Sequence, residues 1–524
     1  MSPDSSASSP PEVPRPSDPS ADRLLDPSAL REGLESRSVR SGFLTVTAQA
    51  VQAVLGVGAA MILARLLTPE DFGLLAMVMS LTALIQSVRN FGLPMAVVHR
   101  EELTHGEASA LFWLNAKLSG LIGLFVCAMA PVLAWFYDEV RLLEMTLVVA
   151  VGLVALGLAA QHRALLTRAQ RFGTLAAIDV AGVTTGMAVG IGAAVAGLGY
   201  WALVLQFVVT HLIHAGGAWL SAGWQPRRAG ASEPSPESGV QRMVSYGFQY
   251  SGSTILNHVS RNLDRVLVGF FSGPTAVGLY DNAYRWSIFP LYQLYKPLDT
   301  VAVSGLSRVQ TEPVALRRYF QSGAGLVLAV SMPTVAFIFA ETHDVVLILL
   351  GDQWLGAVLL LKILSVNAFL RTVTKLTPWL YLSEGQTRRQ LQWSLIHAPV
   401  LIVAVSVGVM WGPAGVATGF TMATALLLWP ELRYCLRTSS LSGRDLWGAV
   451  WRPLVASLVA VVATIAFEPP AGWPLIMGTA ADAGVFGLTY VLTWVGMPGG
   501  RQALADVWRI ASSLRGAAPP SSSA

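Results

Sequence analysis

Fourteen apolar segments, most of them about twenty residues or longer, follow one another from Gly42 to Gly496 with short polar breaks between them. No other feature of this chain restricts its fold as much. A bilayer core of roughly 30 Å takes about 20 apolar residues per helical crossing. Within it each backbone N–H and C=O must be bonded inside the segment, which a helix achieves alone. Composition agrees, with 53% hydrophobic and only 13% charged residues, against about 25% charged in soluble proteins. The chain therefore reads as an all-α polytopic membrane protein. Tight turns such as "AGLGY" and "WGPAG" join some segments into helical hairpins. Cys127 and Cys435 lie in or at the end of apolar runs and read as small core residues.

Lysine and arginine set the expected orientation. Of 35 basic residues, 24 fall in the two tails and the loops on one side, and the opposite loops hold only Arg65 and Arg141. Both termini are therefore expected in the cytoplasm. The first 40 residues are Pro/Ser-rich and lack the pattern of a secretory signal, so they read as a disordered tail. The expected organisation is a tail over 1–40, an N-terminal lobe over 41–221, a cytoplasmic linker over 222–241, a C-terminal lobe over 242–436, two further helices over 445–497, and a tail over 498–524.

The two lobes are expected to be copies. A shift of 205 residues lays Gly42, Phe43, Pro69, Gly73 and Leu74 over Gly247, Phe248, Pro274, Gly278 and Leu279 without a gap. The copies stand six segments apart, an even number, so the repeat is parallel, with an axis along the membrane normal, as in one class of transporters.

The seventh segment contains "TILNHVSRNLDRVLVGFF". Tyr250, Thr254, Asn257, His258, Arg261, Asp264 and Arg265 share one face at helical spacing. Further intramembrane cations are Arg89, Lys117, Arg285, Lys296, Arg371 and Lys375, with Asp281 near Arg285. A charge in the bilayer is costly and by default faces water or a partner. One aqueous cavity between the lobes would satisfy Arg89, Lys117, Arg261, Arg265, Arg285, Lys296, Arg371 and Lys375 together. Such a cavity favours an anion, and the planar fork of arginine suits phosphate. Two plainer readings compete. Arg261 and Arg265 lie roughly 9–15 Å from the segment end at 1.5 Å per residue, within reach of snorkelling, and Asp281–Arg285 fits a structural i,i+4 pair. Asp264 could pair with Arg261 in the same way. The tyrosines at 280, 284 and 295 suit either sugar stacking or an interfacial belt. Pro333 and the glycines of the fifth segment suit either bending or close packing.

No Gly-rich phosphate loop ending in Lys-Ser/Thr, no His/Cys metal spacing and no nucleophile elbow occurs, and no outward loop is large enough for a catalytic domain. The chain is not expected to be an enzyme or to bind nucleic acid.

Four stretches, "ARLLTPEDFGLLAMV", "RNLDRVLVGFFSGPTAVGLYDNAYRW", "LLGDQWLGAVLLLKIL" and "RALLTRAQRFG", resemble the bacterial oligosaccharide flippases of the Wzx type, within the multidrug/oligosaccharidyl-lipid/polysaccharide exporter superfamily. The resemblance covers residues 40–500. It implies a two-lobed exporter of the cytoplasmic membrane that moves an undecaprenyl-pyrophosphate-linked oligosaccharide, for lipopolysaccharide, capsule or exopolysaccharide, by alternating access. The pyrophosphate or acidic sugars would meet Arg89, Arg261, Arg265 and Arg285. H+ or Na+ would be the coupling ion, with Asp264 or Asp281 as the coupling carboxylate, and a polymerase and chain-length proteins would be partners. Two rivals stand beside it, a lipid II-type flippase and a membrane polymerase or ligase.

Overall fold

A computed structural model describes residues 34–89, 103–227, 237–470, 472–505 and 509. The helices in chain order are α1 (Leu34–Leu66), α2 (Pro69–Arg89), α3 (His105–Phe136), α4 (Arg141–Arg168), α5 (Phe172–Val195) and α6 (Trp201–Ala222). One continuous run, Glu237–Arg308, breaks at Gly273, which has φ +78. It is treated as α7 (237–272) and α8 (274–308). Then come α9 (Pro313–Ala340), the short α10 (Thr342–Leu349), a 3-10 turn at Asp352–Ala357, α11 (Val358–Thr374) and α12 (Thr377–Ser383). The chain continues through α13 (Thr387–Gly408), α14 (Gly412–Leu436), α15 (Gly443–Ala466) and α16 (Leu475–Gly496).

Ten helical stretches among the described residues are long and apolar enough to cross a membrane, and one of them, Arg388–Leu436, holds both α13 and α14. The chain is thus an all-α polytopic membrane protein. Two helices start before their expected boundaries. α1 opens at Leu34, inside the expected tail over 1–40, and α7 opens within the expected linker over 222–241. A helix bonds its own backbone, so it continues into water where a hydropathy boundary would end it. Residues 1–33 and 228–236, the rest of that tail and the middle of that linker, lie outside the described residues.

The "TPED" of the first motif starts α2. Thr68 and Asp71 bond reciprocally: the Asp71 N–H donates to Thr68 Oγ1 at 3.3 Å and the Thr68 N–H donates to Asp71 Oδ2 at 2.9 Å. This is a capping box with Pro69 at the first helical position, where its missing N–H costs nothing. Four residues on, Gly73 lets α2 cross the start of α8. A Cβ on Gly73 would lie 1.7 Å from the Pro274 carbonyl oxygen, and a Cβ on Gly278 would lie 1.8 Å from the Pro69 carbonyl oxygen. The contact is reciprocal between residues 205 apart.

Around this crossing the end of the bundle where α1 finishes is closed. Trp354, fully buried, donates its indole N–H to the Ala64 carbonyl at 2.8 Å and meets the Phe72 ring edge-on at 5.2 Å. Gln353 donates to the carbonyls of Ala64 and Leu67. Arg65 donates to the Ile348 carbonyl at 2.8 Å, so α10 and the 3-10 turn latch onto α1. The Phe136 and Phe270 rings pack in a tilted pair, with centroids 4.7 Å apart. The largest core cluster lies beneath, with Leu74, Met77, Val268, Val277, Tyr280 and Trp354 among its members.

The glycines of α5 act in close packing. A Cβ on Gly186 would lie 1.9 Å from Thr210 Oγ1 of α6, and one on Gly182 would lie 2.3 Å from the His214 ring. Pro333 sits inside a continuous α9.

Candidate functional site

A cavity of about 720 Å3 lies immediately under the closed end. Its wall is built from α1 and α2 on one side and α7 and α8 on the other, with α5 and α6 completing it. Val57, Ala60, Ala76 and Ser80 line the first side, and Asn262, Arg265, Asp281 and Arg285 line the second. Each member of the first set is 205 residues from its counterpart in the second. The same backbone positions therefore face one cavity from both copies, but only one copy supplies charge.

Arg265 is the centre of the polar wall. Its Nε–H donates to Asp281 Oδ1 across the α7–α8 break, and its Nη1 donates to Asn262 Oδ1 at 3.3 Å. Its guanidinium lies 4.8 Å from the centre of the Tyr284 ring, a cation–π distance. The Arg265 side chain is 14% exposed and that of Asp281 is 26% exposed, so the pair is largely withdrawn from solvent but still faces the cavity. Breaking a buried pair by removing one partner costs about 3–5 kcal/mol, because the other charge is stranded. Arg285 stands one turn beyond Asp281 and is exposed. Asp281 thus meets Arg265 directly, in place of a simple i,i+4 pair with Arg285. Among the ionisable lining residues, Arg265 and Arg285 outweigh Asp281, so the wall carries net positive charge with His211 neutral.

Asp264 lies behind this wall. It is 3% exposed and accepts from the Tyr280 hydroxyl at 3.0 Å and from the Arg265 backbone N–H at 2.8 Å. The tyrosines of α8 serve packing. Tyr280 and Tyr295 are buried, the latter donating to the Thr372 carbonyl at 2.8 Å, and buried Tyr284 bridges Arg265 to Arg371, whose Nη1 donates to its hydroxyl at 3.0 Å. Both readings given to these rings, sugar platform and interfacial belt, are replaced by burial, because each hydroxyl finds a partner inside the bundle. Tyr292, 47% exposed, is the one α8 tyrosine that faces out.

The remaining predicted cations are dispersed. Arg371 and Lys375 line a separate polar pocket of about 150 Å3 among α11, α12, α13 and α14, together with His397 and Glu431. Lys375 also lies 5.2 Å from the centre of the Tyr292 ring. Lys117 is exposed on α3 and lines neither cavity. Arg89, Arg261 and Lys296 fall on helices, but their side chains lie outside the described residues.

Sequence reasoning missed Ser80, Gln206 and Thr210, which line the large cavity. His211 also lines the cavity, and its Nδ1 lies 2.7 Å from the Phe207 carbonyl oxygen. The 205-residue shift was the available signal for Ser80, since it overlies Arg285.

Comparison with known proteins fits this geometry. Residues 62–359 match the family model described as polysaccharide biosynthesis protein. The lipopolysaccharide biosynthesis protein WzxC of Escherichia coli (strain K12) is 22% identical over 448 residues, covering 84% of this chain and 88% of that protein. The succinoglycan biosynthesis transport protein ExoT of Rhizobium meliloti (strain 1021) is 23% identical over 446 residues, covering 82% and 88%. Among solved structures, lipid II flippase MurJ in an inward closed conformation aligns with a TM-score of 0.67 at 12% identity, over 86% of this chain and 98% of that one. An inward-facing multidrug resistance MATE family transporter of the MOP superfamily aligns with a TM-score of 0.57 at 15% identity, over 74% and 96%. With more than half of its length inside the family model and the MOP transporter fold around its cavity, this chain belongs to the polysaccharide biosynthesis protein family of membrane proteins.

Proposed function

We propose that this protein is a flippase that carries an undecaprenyl-pyrophosphate-linked oligosaccharide across the bacterial cytoplasmic membrane by alternating access, for synthesis of a surface polysaccharide. The observation that carries the proposal is the cationic wall of Arg265 and Arg285 in a cavity between two copies of one repeat, closed at one end by the Gly73–Gly278 crossing. Two planar guanidinium forks suit a pyrophosphate, which offers paired acceptor oxygens to bidentate donors. Fourteen crossings form two six-helix lobes and a C-terminal pair, with both termini in the cytoplasm. The closed end then faces outward, and the cavity takes its cargo from the cytoplasmic side. Rocking of the lobes would open the Gly73–Gly278 crossing and close the other end. The relatives named for lipopolysaccharide biosynthesis and succinoglycan transport support a glycan cargo. A polymerase and chain-length proteins would receive the product.

Coupling to H+ or Na+ is assigned to Asp281 before Asp264, since Asp281 faces the cavity whereas Asp264 is enclosed by Tyr280 and the α7 backbone. Asp281→Asn should leave substrate-bound protein but abolish the ion dependence of export.

A strain lacking the gene tests the whole reading. Lipid-linked repeat units should accumulate on the cytoplasmic leaflet and surface polymer should vanish. The intact gene should restore both, and Arg265→Ala/Arg285→Ala should not. Normal delivery of repeat units to the outer leaflet without polymerisation would move the protein to the polymerase step. A lipid II cargo, suggested by the fold likeness to MurJ, would show instead as trapped cell-wall precursor with surface polymer intact.

A further inference from the structure

At the closed end, away from the cavity, three carboxylates converge from two distant parts of the chain. Glu341 ends α9, Asp344 opens α10 and Asp482 stands two turns into α16. One oxygen from each lies within 4.8 Å of the others. Asp482 is only 4% exposed. Neither it nor the Glu341 side chain has a hydrogen-bond donor or a basic partner among the described residues. Asp344 is better served: the Thr479 hydroxyl donates to its Oδ2 at 3.1 Å, and His343 Nδ1 lies 3.1 Å from its Oδ1. A buried carboxylate without donors, aimed at two others, is a costly arrangement for a fold to keep empty-handed, since buried charges are paired or hold metal.

We propose that Glu341, Asp344 and Asp482 form a binding site for a divalent cation of the Ca2+ class. Oxygen donors at 2.3–2.6 Å from the ion stand up to about 5 Å apart across it, which the 4.8 Å limit meets. Mg2+, with donors at about 2.1 Å, demands near-ideal octahedral geometry and usually keeps several waters, so three carboxylates brought in from separate helices suit Ca2+ better. No motif announces the site, because Asp344 and Asp482 are 138 residues apart in sequence. The ion would fasten α10 to α16. α10 also carries Ile348, whose carbonyl holds Arg65 of α1, so an occupied site steadies the latch of the closed end.

The test uses the purified full-length protein in detergent, stripped with chelator and titrated with CaCl2 or MgCl2 by calorimetry and thermal unfolding. Ca2+ should bind at one site and raise the melting temperature more than Mg2+ does. Asp482→Asn should weaken binding by at least about tenfold, as loss of a ligand exceeds the loss of a supporting group. Glu341→Gln, at a half-buried helix end, gives the same readout if the first variant does not fold.

No Ca2+ response in the wild type would overturn the site. Equal Ca2+ affinity in wild type and both variants would overturn it outright.

Discussion

The two copies of the repeat meet at the same positions and do different work there. At the closed end Pro69 and Gly73 of the first copy and Pro274 and Gly278 of the second make one contact twice over, backbone against backbone. Three turns and fewer below it, Ala60, Ala76 and Ser80 face Arg265, Asp281 and Arg285 across the cavity. Symmetry is kept at the crossing, where on the proposed mechanism the lobes would separate and rejoin, since a reciprocal crossing lets both helices move by the same rotation. It is abandoned where cargo would be held. A second set of arginines would face the first across a low-dielectric gap and repel it.

The largest effect should follow from a side chain at the crossing. Gly278→Leu or Gly73→Leu places atoms where a carbonyl oxygen already sits, less than 2 Å away. The helices must part to admit it. A penalty above about 3 kcal/mol shifts a two-state equilibrium more than 100-fold at 1.4 kcal/mol per decade. Surface polymer should fall to the level of the deletion strain, and a cysteine introduced at position 80 in a background without Cys127 and Cys435 should become reactive from the closed end. Normal export from both variants would break the equivalence of the two copies at this contact.

Next comes the charged wall. Arg265→Ala should reduce export by about 10–100-fold, because it removes an anion contact and strands Asp281 at a cost of about 3–5 kcal/mol. Arg265→Lys should fall between, keeping the charge but losing the fork. Ala60→Ser, at the equivalent position of the first copy, should stay within about twofold, as it adds one small neutral hydroxyl to the cavity wall and strands no charge. Complementation of the deletion strain, corrected for membrane levels, reads all three. Comparable losses at 60 and 265 would mean that the two walls contribute equally.

The smallest contrast, and the sharpest, pairs Arg285→Ala with Ser80→Ala. The first should cost export about tenfold, the value of one charge-assisted contact of about 1.4 kcal/mol or more. The second should cost about fivefold or less, as a neutral hydroxyl contributes about 1 kcal/mol or less. A reversed order would place the cargo on the first copy.

Much of this molecule is legible in its sequence, for reasons that can be named residue by residue. Apolar runs of membrane length can only be satisfied as helices, so α1 to α16 lie largely where hydropathy puts them. Helical periodicity put Arg265 on a polar face, and the 205-residue shift joined Pro69–Gly73 to Pro274–Gly278 before any contact was visible. Periodicity describes one helix at a time, however. It offered Arg261 to Asp264 and Arg285 to Asp281 as partners, since those neighbours lie one turn apart. The fold closed Arg265 on Asp281 through the break at Gly273, in place of the Arg285 pairing, and Asp264 accepts from Tyr280, while the Arg261 side chain lies outside the described residues. It also drew Arg371 and Lys375 into a pocket of their own, left Lys117 outside both, and brought Asp482 to Glu341. Which face a residue occupies is local and follows from spacing. What stands opposite that face depends on how closely two helices can cross, and here that was decided by two glycines more than two hundred residues apart.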